Sequence, residues 1–381
     1  MNLRNPIKYI LFFLALLYGC KHEQKQGYLN FNKVENKYIE ITDLCDSICY
    51  IPLDNHIPLN NIQYIRKSLQ FYFIWANSKG LLKFSKSGEF LTQIGAIGRG
   101  PKEYNKYSVF DINREAKEIY ILSEKKILVY NFMGEFIKEL NIKLDYFVQN
   151  IDFLAPYYLV LSTFNSYGDA PFNWIIVDLN GKEVSEKVNG IHFKTKGFFG
   201  LVPSFITYKY DNCVYYFEQL NDTIFQIVAP GNTNNPYIFD KADKRFHPDI
   251  YKNGISNLSN HIIPKNISES SKYLIIQASE LGDNNLFMYD KKRNKFFRVK
   301  NEVPGVINNF DNGPCFIPSI ITEYNNAIQI INAFEFKAHI ASKAFKISTP
   351  QYSDKKKALE QLANSLDEND NPVLMLVKLK E

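Results

Sequence analysis

The stretch GAIGRGPKEY, Gly95 to Tyr104, contains the residue types from which phosphate-binding loops are built. Its first and last glycines have the G-x-x-x-x-G spacing of a phosphate loop, but Pro101 stands where that loop needs its lysine. Such loops also lead into a helix, whose N-terminus binds the phosphate, whereas Tyr107 to Ile112 has the composition of a strand. We therefore predict a turn that joins two strands and does not bind phosphate.

Three side chains of this turn have types that can contact a ligand: Arg99, Glu103 and Tyr104. The glycines around them permit backbone angles that other residues disfavour, which is typical of a tight crossover. We predict that these side chains either brace the crossover or line the entrance to a binding site.

The elements that must position such a turn are short strands. Three consecutive examples are bounded by Ser, Lys, Gly or Asn and are rich in β-branched or aromatic residues: EIYIL (Glu118 to Leu122), KILVYN (Lys126 to Asn131) and EFIKEL (Glu135 to Leu140). This composition predicts antiparallel strands joined by tight turns.

The strands recur in a longer pattern. LLKFSKSGEFLTQIG (Leu81 to Gly95) aligns without a gap with ILVYNFMGEFIKELN (Ile127 to Asn141), and turn glycines recur at intervals of 46 to 50 residues at Gly88, Gly134, Gly181 and Gly231. A period near 45 to 50 with four strands per unit is the signature of β-propeller blades, whereas a long β-sandwich would lack this higher period. The pattern predicts five blades, at residues 61–94, 107–140, 147–187, 203–239 and 261–299.

A sixth blade must combine both ends of the chain. Strands are predicted at Lys37 to Leu44 and Ile48 to Asp54 near the start, and at Pro372 to Lys380 near the end. Pairing them in one sheet would close the ring and remove its free edges. One C-terminal helix is predicted after Ser353, because the apolar residues there follow helical spacing. The predicted fold is therefore an all-β, six-bladed β-propeller with one C-terminal helix.

Several motifs together resemble one family. ITDLCDSICYIPLD, IGAIGRGPKEY, QLNDTIFQI and NPVLMLVKLK resemble segments of the six-bladed β-propeller lipoproteins of anaerobic Gram-negative bacteria, relatives of NHL-repeat and TolB-like propellers. The family pattern usually has a second glycine after the proline, where this chain has Lys102. The resemblance implies a fold much more than a biochemical function, because propellers carry many unrelated functions.

The N-terminus predicts export and lipid anchoring. Residues 1–19 have the positive start and short apolar run of a signal peptide, and Leu17-Tyr18-Gly19-Cys20 resembles a lipobox, which implies cleavage before an acylated Cys20. The polar residues 20–27 form a predicted flexible tether, and 28–381 the propeller domain. Lys21 after the cysteine implies sorting to the outer membrane, on its periplasmic or its surface side.

The cysteines, the histidines and the net charge limit the kinds of site that the chain can contain. If Cys45 and Cys49 lie along one strand they are roughly 13 Å apart, beyond the about 7 Å that a disulfide spans, so a bridge would need a bend between them. The six histidines form no metal-binding pair, and no GxSxG nucleophile elbow occurs. A net charge of +5 over 381 residues gives no reason to expect a nucleic-acid partner.

We expect a binding or scaffold module for a protein, peptide or glycan of the cell envelope, with no cofactor. The alternative, suggested by the calcium-dependent lactonases among six-bladed propellers, is a hydrolase that holds calcium in the central channel. Four residues have types suited to such a site and are equally common in hairpin turns: Asp211, Asn212, Asp283 and Asn284.

Overall fold

The computed structural model describes residues 26–76, 78–142, 146–165, 167–193, 204–240, 244–245, 261–300, 305–318, 320–322 and 325–381. Within these ranges the chain forms six antiparallel sheets arranged as the blades of a β-propeller. The predicted lipidation site, Cys20, lies outside the described residues. Of the predicted tether only its last two residues are described, and the last of them, Gly27, begins the first strand.

The N-terminal segment passes along the outside of the ring before it enters a blade. It contains β1 (Gly27–Leu29), a 3-10 turn (Phe31–Lys33), β2 (Glu35–Lys37), α1 (Ile41–Leu44) and β3 (Cys45–Pro52). β1 pairs in parallel with the outermost strand of blade four, and β2 pairs in the same way with that of blade five. These short additions cover two outer sheet edges, which would otherwise offer unpaired backbone groups.

Blades one to five each contain four consecutive antiparallel strands, ordered from the channel outward. Blade one has β4 (Ile62–Lys67), β5 (Phe71–Ala76), β6 (Gly80–Ser85) and β7 (Phe90–Ile94); blade two has β8 (Val109–Asn113), β9 (Glu118–Ser123), β10 (Lys126–Asn131) and β11 (Phe136–Asn141). Blade three has β12 (Val148–Leu154), β13 (Tyr158–Thr163), β14 (Phe172–Asp178) and β15 (Glu183–Val188). Blade four has β16 (Phe205–Tyr210), β17 (Cys213–Glu218), β18 (Thr223–Val228) and β19 (Asn232–Phe239); blade five has β20 (Ile263–Glu269), β21 (Tyr273–Glu280), β22 (Asp283–Asp290) and β23 (Lys295–Val299). The five predicted blades are confirmed.

Blade six closes the ring with both ends of the chain. Its strands are β24 (Ile320–Ile321), β25 (Asn326–Ile331), β26 (Val373–Leu379) and, on the outside, β3. β26 pairs antiparallel with β3 in a register that places Val373 opposite Pro52 and Leu376 opposite Cys49. The predicted closure is therefore confirmed, with the N-terminal segment supplying the outermost strand.

One local prediction was wrong. The segment Lys37 to Leu44, predicted as a strand, ends in helix α1. The side chains of Glu40 and Asp43 cap each other's backbone, and the helix buries Ile41 and Leu44.

The predicted C-terminal helix is confirmed, and two helices that were not predicted precede it. The three are α2 (Ala333–Ala341), α3 (Lys343–Ile347) and the predicted helix, α4 (Ser353–Ser365). Helix α2 buries Ala333, Phe336 and Ile340, which share one helical face, so its tertiary packing outweighs its mixed local sequence.

Aromatic and branched side chains fill the spaces between neighbouring blades. The two tryptophans lie in such spaces: Trp75 packs against Phe110 of blade two, and Trp174 against Tyr216 of blade four, with ring centroids 6.1 and 4.9 Å apart. Burying each such side chain contributes roughly 1.5–3 kcal/mol. The blades are therefore held together mainly by apolar contacts, and the polar groups gather where the inner strands meet.

The two ends of the ring differ in their connections. All six inner strands run in the same direction, so the segments that link one blade to the next lie at their N-terminal ends, which we call the crossover end. The first hairpin turn of each blade lies at the opposite, hairpin end.

Cys45 and Cys49 both lie in β3, and with Cys213 and Cys315 they are free thiols. Within the described ranges no helix has the length and apolar character needed to cross a membrane.

Candidate functional site

The inner strands surround a cavity of about 390 Å³ on the axis of the ring. Its wall is formed by residues 63–67 and Arg114 from blades one and two, Gln149, Asn150 and Asp152 from blade three, residues 205–209 from blade four, residues 265–269 from blade five and residues 320–322 from blade six. Amide, hydroxyl and charged side chains are the more numerous in this wall, and Ile65, Phe205 and Ile320 are among its apolar residues. A polar channel of this size is the structural feature most suited to hold a ligand.

A buried ion cluster ties three inner strands together across the channel. Asp111 of β8 is fully buried, and its carboxylate is 2.7 Å from Nε of Arg66 on β4 and 2.7 Å from Nζ of Lys209 on β16. It also accepts a hydrogen bond from the backbone N–H of Phe153, at 2.7 Å. Burial raises the pKa of Asp111, but the two cations outweigh burial and hold it below its usual range.

A second carboxylate, Asp152 of β12, is close enough to the same two cations to feel their charge. It accepts a hydrogen bond of 2.8 Å from Nδ2 of Asn150, which also donates to the hydroxyl of Thr207 at 2.8 Å. Burial and the charge of Asp111 raise the pKa of Asp152 to about 6, against the opposing effect of the cations. Asp152 therefore takes up a proton at a higher pH than an ordinary aspartate does.

Each of the six inner strands contributes one polar side chain to this level of the channel. The contributing side chains stand within two residues of the C-terminal end of their strand or, for the last one, directly after it, and we call them the polar belt: Arg66, Asp111, Asp152, Lys209, Ser268 and Thr322. The belt lies nearer to the hairpin end of the ring than to the crossover end.

Another buried acid beside the belt has a structural role. Glu269 accepts hydrogen bonds from the hydroxyls of Tyr208 and Tyr237, at 2.9 and 2.6 Å, and from Nζ of Lys291 at 2.6 Å. Burial lowers the pKa of Lys291 and Glu269 opposes that shift. Three donors satisfy this carboxylate, so it ties blades four and five together.

The crossover GAIGRGPKEY joins β7 of blade one to β8 of blade two, as predicted. Tyr104 is buried in it: the Tyr104 hydroxyl donates to the carbonyl of Ile94 at 2.7 Å and accepts from the N–H of Leu81 at 3.1 Å. Gly95 has φ +62°, and a side chain there would collide with Tyr104 and Tyr130. Glycine is therefore needed at this position because the side chains of Tyr104 and Tyr130 come close to its backbone.

Glu103 and Arg99, the other candidates of this crossover, differ in their surroundings. The carboxylate of Glu103 accepts from the N–H of Gly100 at 2.7 Å, and it fills the place that a side chain on Gly98 would take. Arg99 is exposed. Glu103 and Tyr104 therefore brace the crossover, while Arg99 stays a predicted ligand contact.

The four residues considered for calcium lie at opposite ends of the ring. Asp211 and Asn212 form the two-residue turn between β16 and β17, both with positive φ, at the hairpin end. Asp283 and Asn284 follow the turn between β21 and β22, at the crossover end. Among the residues that the structure describes, no group of three or more His, Cys, Asp or Glu side chains is placed to hold a metal. The four do not form one site.

Sequence comparison places the chain in a family. Residues 29–378 match the family described as a domain of unknown function, DUF4934. The chain belongs to the DUF4934 family. No curated protein matches its sequence.

Solved structures share the fold of this DUF4934 chain. One is a protein of Bacteroides fragilis assigned as exported, at 20% identity and a TM-score of 0.69, with 93% of this chain and 99% of that chain covered. Another is a DUF4221 member from Bacteroides vulgatus, at 11% identity and a TM-score of 0.50, with 91% and 99% covered. At these identities the likeness establishes the six-bladed fold alone.

The polar belt of this DUF4934 chain was missed in the sequence. Its signal was present, because Asp111 and Asp152 interrupt apolar strands, VFDIN and NIDFL, at similar places in two blades. Aspartate is depleted in strands, and a buried one needs a charged or hydrogen-bonding partner. A charged residue in the first strand of blades one to four therefore marks the channel.

Proposed function

We propose that this chain is a lipid-anchored binding module of the cell envelope, which holds part of a protein, peptide or glycan in its central channel. The observation that carries the proposal is the cavity of about 390 Å³ with its polar wall. Ligand pockets have volumes of roughly 300–1,000 Å³ and a few convergent polar groups. The exported relative of Bacteroides fragilis supports a place outside the cytoplasm.

A calcium-dependent hydrolase has less support. The cations Arg66 and Lys209 lie 2.7 Å from the carboxylate of Asp111, which leaves that carboxylate poorly suited to bind Ca²⁺. The same cations would repel a metal ion at the level of Asp152. The channel therefore favours a module that binds without metal chemistry.

The channel function predicts that a plug abolishes binding. Gln149 is exposed on the channel wall near the crossover end of β12, so Gln149→Trp should fill the entrance without disturbing the core. Protein, peptide and glycan fractions of the envelope are each tested against the immobilised full chain by surface plasmon resonance. We expect at least one fraction to bind the wild type and to lose about tenfold or more in affinity to the variant, since the plug excludes the ligand.

The matched control for the plug is Gln361→Trp, which places the same side chain on the exposed face of α4. It should bind as the wild type does. Equal binding by Gln149→Trp and the wild type would show that the ligand sits elsewhere, and the channel proposal would be abandoned.

The anchor predicts a second outcome. Cys20→Ala removes the thiol that the lipobox resemblance implies is acylated, so the protein should move from the detergent-extracted membrane fraction to the soluble fraction. Cell fractionation with immunoblotting measures this, and Cys49→Ala, a cysteine of β3, is the control. If Cys20→Ala stayed in the membrane fraction and was released only by detergent, lipid anchoring at this residue would be refuted.

A further inference from the structure

We propose that the polar belt is a binding site for an anionic group, such as a carboxylate, and that the anion binds together with a proton. The inference rests on the proposed use of the channel for binding and adds the chemical class of the ligand. Its evidence is a cation with spare donors, two hydroxyls without partners, and a neighbouring acid that can take up the proton.

Arg66 has donors available to a ligand. Its Nε donates to Asp111 at 2.7 Å, and its Nη1 donates to the carbonyl of Ile65 at 3.3 Å. Nη2 has no acceptor in the described part of the chain, and the side chain is 23% exposed in a channel where most belt groups are buried. A guanidinium with a free edge matches a planar carboxylate and also binds phosphate or sulfate.

Two hydroxyls on the blade-five and blade-six side of the belt also lack partners. Ser268 and Thr322 line the cavity, are 5% and 8% exposed, and their hydroxyl oxygens make no hydrogen bond within the described ranges. A buried hydroxyl without a partner costs free energy, so natural structures usually satisfy it with water or a ligand. Both hydroxyls lie on the cavity wall, so a bound ligand could supply the missing partner.

The belt attracts an anion most strongly when Asp152 is neutral. The cations Arg66 and Lys209 are offset by Asp111 and, once it ionises, by Asp152. With both acids ionised these two cations are fully balanced, so an added anion gains less attraction from them and is repelled by the charge of Asp152. Protonation of Asp152 removes that charge, so binding of the anion and of the proton should be coupled.

The groups around Asp152 allow it to respond in this way. Asp111, Arg66 and Lys209 face it from β8, β4 and β16, and Asn150 of its own strand donates to it. The other strands packed against β12 bring acids that are engaged elsewhere: Glu118 of β9 accepts from the Tyr120 hydroxyl, and Glu218 of β17 accepts from Asn165 and Asn173. β13 contributes only Tyr158 as a titratable group, and Tyr158 pairs with Leu154, two residues beyond Asp152.

The test uses four probes and the full chain in detergent. D-Glucuronate, inorganic phosphate and inorganic sulfate are titrated by calorimetry, with D-glucose as the uncharged match for glucuronate. At about pH 5 we expect at least one anion to bind at least about tenfold more tightly than glucose, and its Kd to rise up to about tenfold for each pH unit above about 6. Preference for glucuronate identifies a carboxylate ligand, and preference for phosphate or sulfate a tetrahedral one.

Three variants separate binding from folding. The double variant Ser268→Ala and Thr322→Val removes hydroxyls that have no hydrogen-bond partner among the described residues, so it should fold and weaken anion binding about threefold to tenfold or more. Ser162→Ala is the matched control, because its hydroxyl is also buried and has no partner in the described part of the chain but lies outside the channel wall. Asp152→Asn should flatten the pH dependence.

The proposal fails if none of the three anions binds at about pH 5, or if the double variant binds them as tightly as Ser162→Ala does. These results are distinct from failure of the channel function. If the anions do not bind but Gln149→Trp still blocks an envelope ligand, the channel function stands and the ligand is uncharged at this site.

Discussion

Removal of residues 372–381 should leave the chain without a cooperative unfolding transition. The deletion takes away β26, which joins the two chain ends in blade six. It pairs with β25 on one side and β3 on the other, so its loss separates the N-terminal strand from the C-terminal part of the blade. An open ring also exposes the apolar faces of blades one and six.

The size of this effect follows from burial. Val373, Leu374, Met375 and Val377 are fully buried, and Leu379 is nearly so. Exposing five such side chains costs roughly 1.5–3 kcal/mol each, a total comparable with the 5–15 kcal/mol that holds a typical domain folded. Circular dichroism during heating, with size-exclusion chromatography at room temperature, should show a broad, non-cooperative loss of strand signal and aggregation.

The control is removal of Glu381 alone, an exposed residue beyond β26. That chain should melt within a few degrees of the wild type. If the chain ending at Asn371 also melted sharply at nearly the same temperature, ring closure through β26 would not be what holds the propeller together.

The blades could be predicted from the sequence because each blade repeats the same arrangement of short strands and tight turns. Every unit needs strands that alternate toward neighbouring blades and a tight turn, so Gly88, Gly134 and Gly181 recur with positive φ at equivalent turns. The parallel strands β1 and β2 were not predicted, since three residues are too few to show a period and their pairing depends on blades four and five being already formed.

The candidate site was predicted only in part, for a related reason. The crossover that contains Tyr104 can be recognised from ten consecutive residues, and the hydrogen bonds that brace it join residues close together in the chain. The polar belt joins residues such as Arg66 and Lys209 that are far apart in the chain and meet only when the ring closes. Single charged residues in separate strands carry no spacing signal, so their partnership follows from the fold and not from the local sequence.

Asp111→Asn should destabilise the propeller by about 3–5 kcal/mol at neutral pH. The wild-type carboxylate bridges Arg66 and Lys209 at 2.7 Å each and accepts the N–H of Phe153. The amide of asparagine has the shape of the carboxylate but adds an N–H donor where three donors already converge. It also removes the negative charge that balances Arg66 and Lys209, which are both partly buried. Asp152 then becomes the main acid facing them, and its pKa should fall because Asp111 no longer repels it.

The pH dependence gives this prediction its sign. Because the folded-state pKa of Asp111 is lowered, its stabilisation is present above the unfolded-state value of about 4 and is lost as the pH falls toward the lower folded value. The free energy of unfolding, from urea titrations of both chains, should therefore differ most at about pH 7 and least at about pH 3. Asp169→Asn, an exposed aspartate outside the cluster, should show no such difference at either pH. A gap between Asp111→Asn and the wild type that stayed constant from neutral to acid pH would mean that packing, and not the bridging charge, is what Asp111 contributes to the ring.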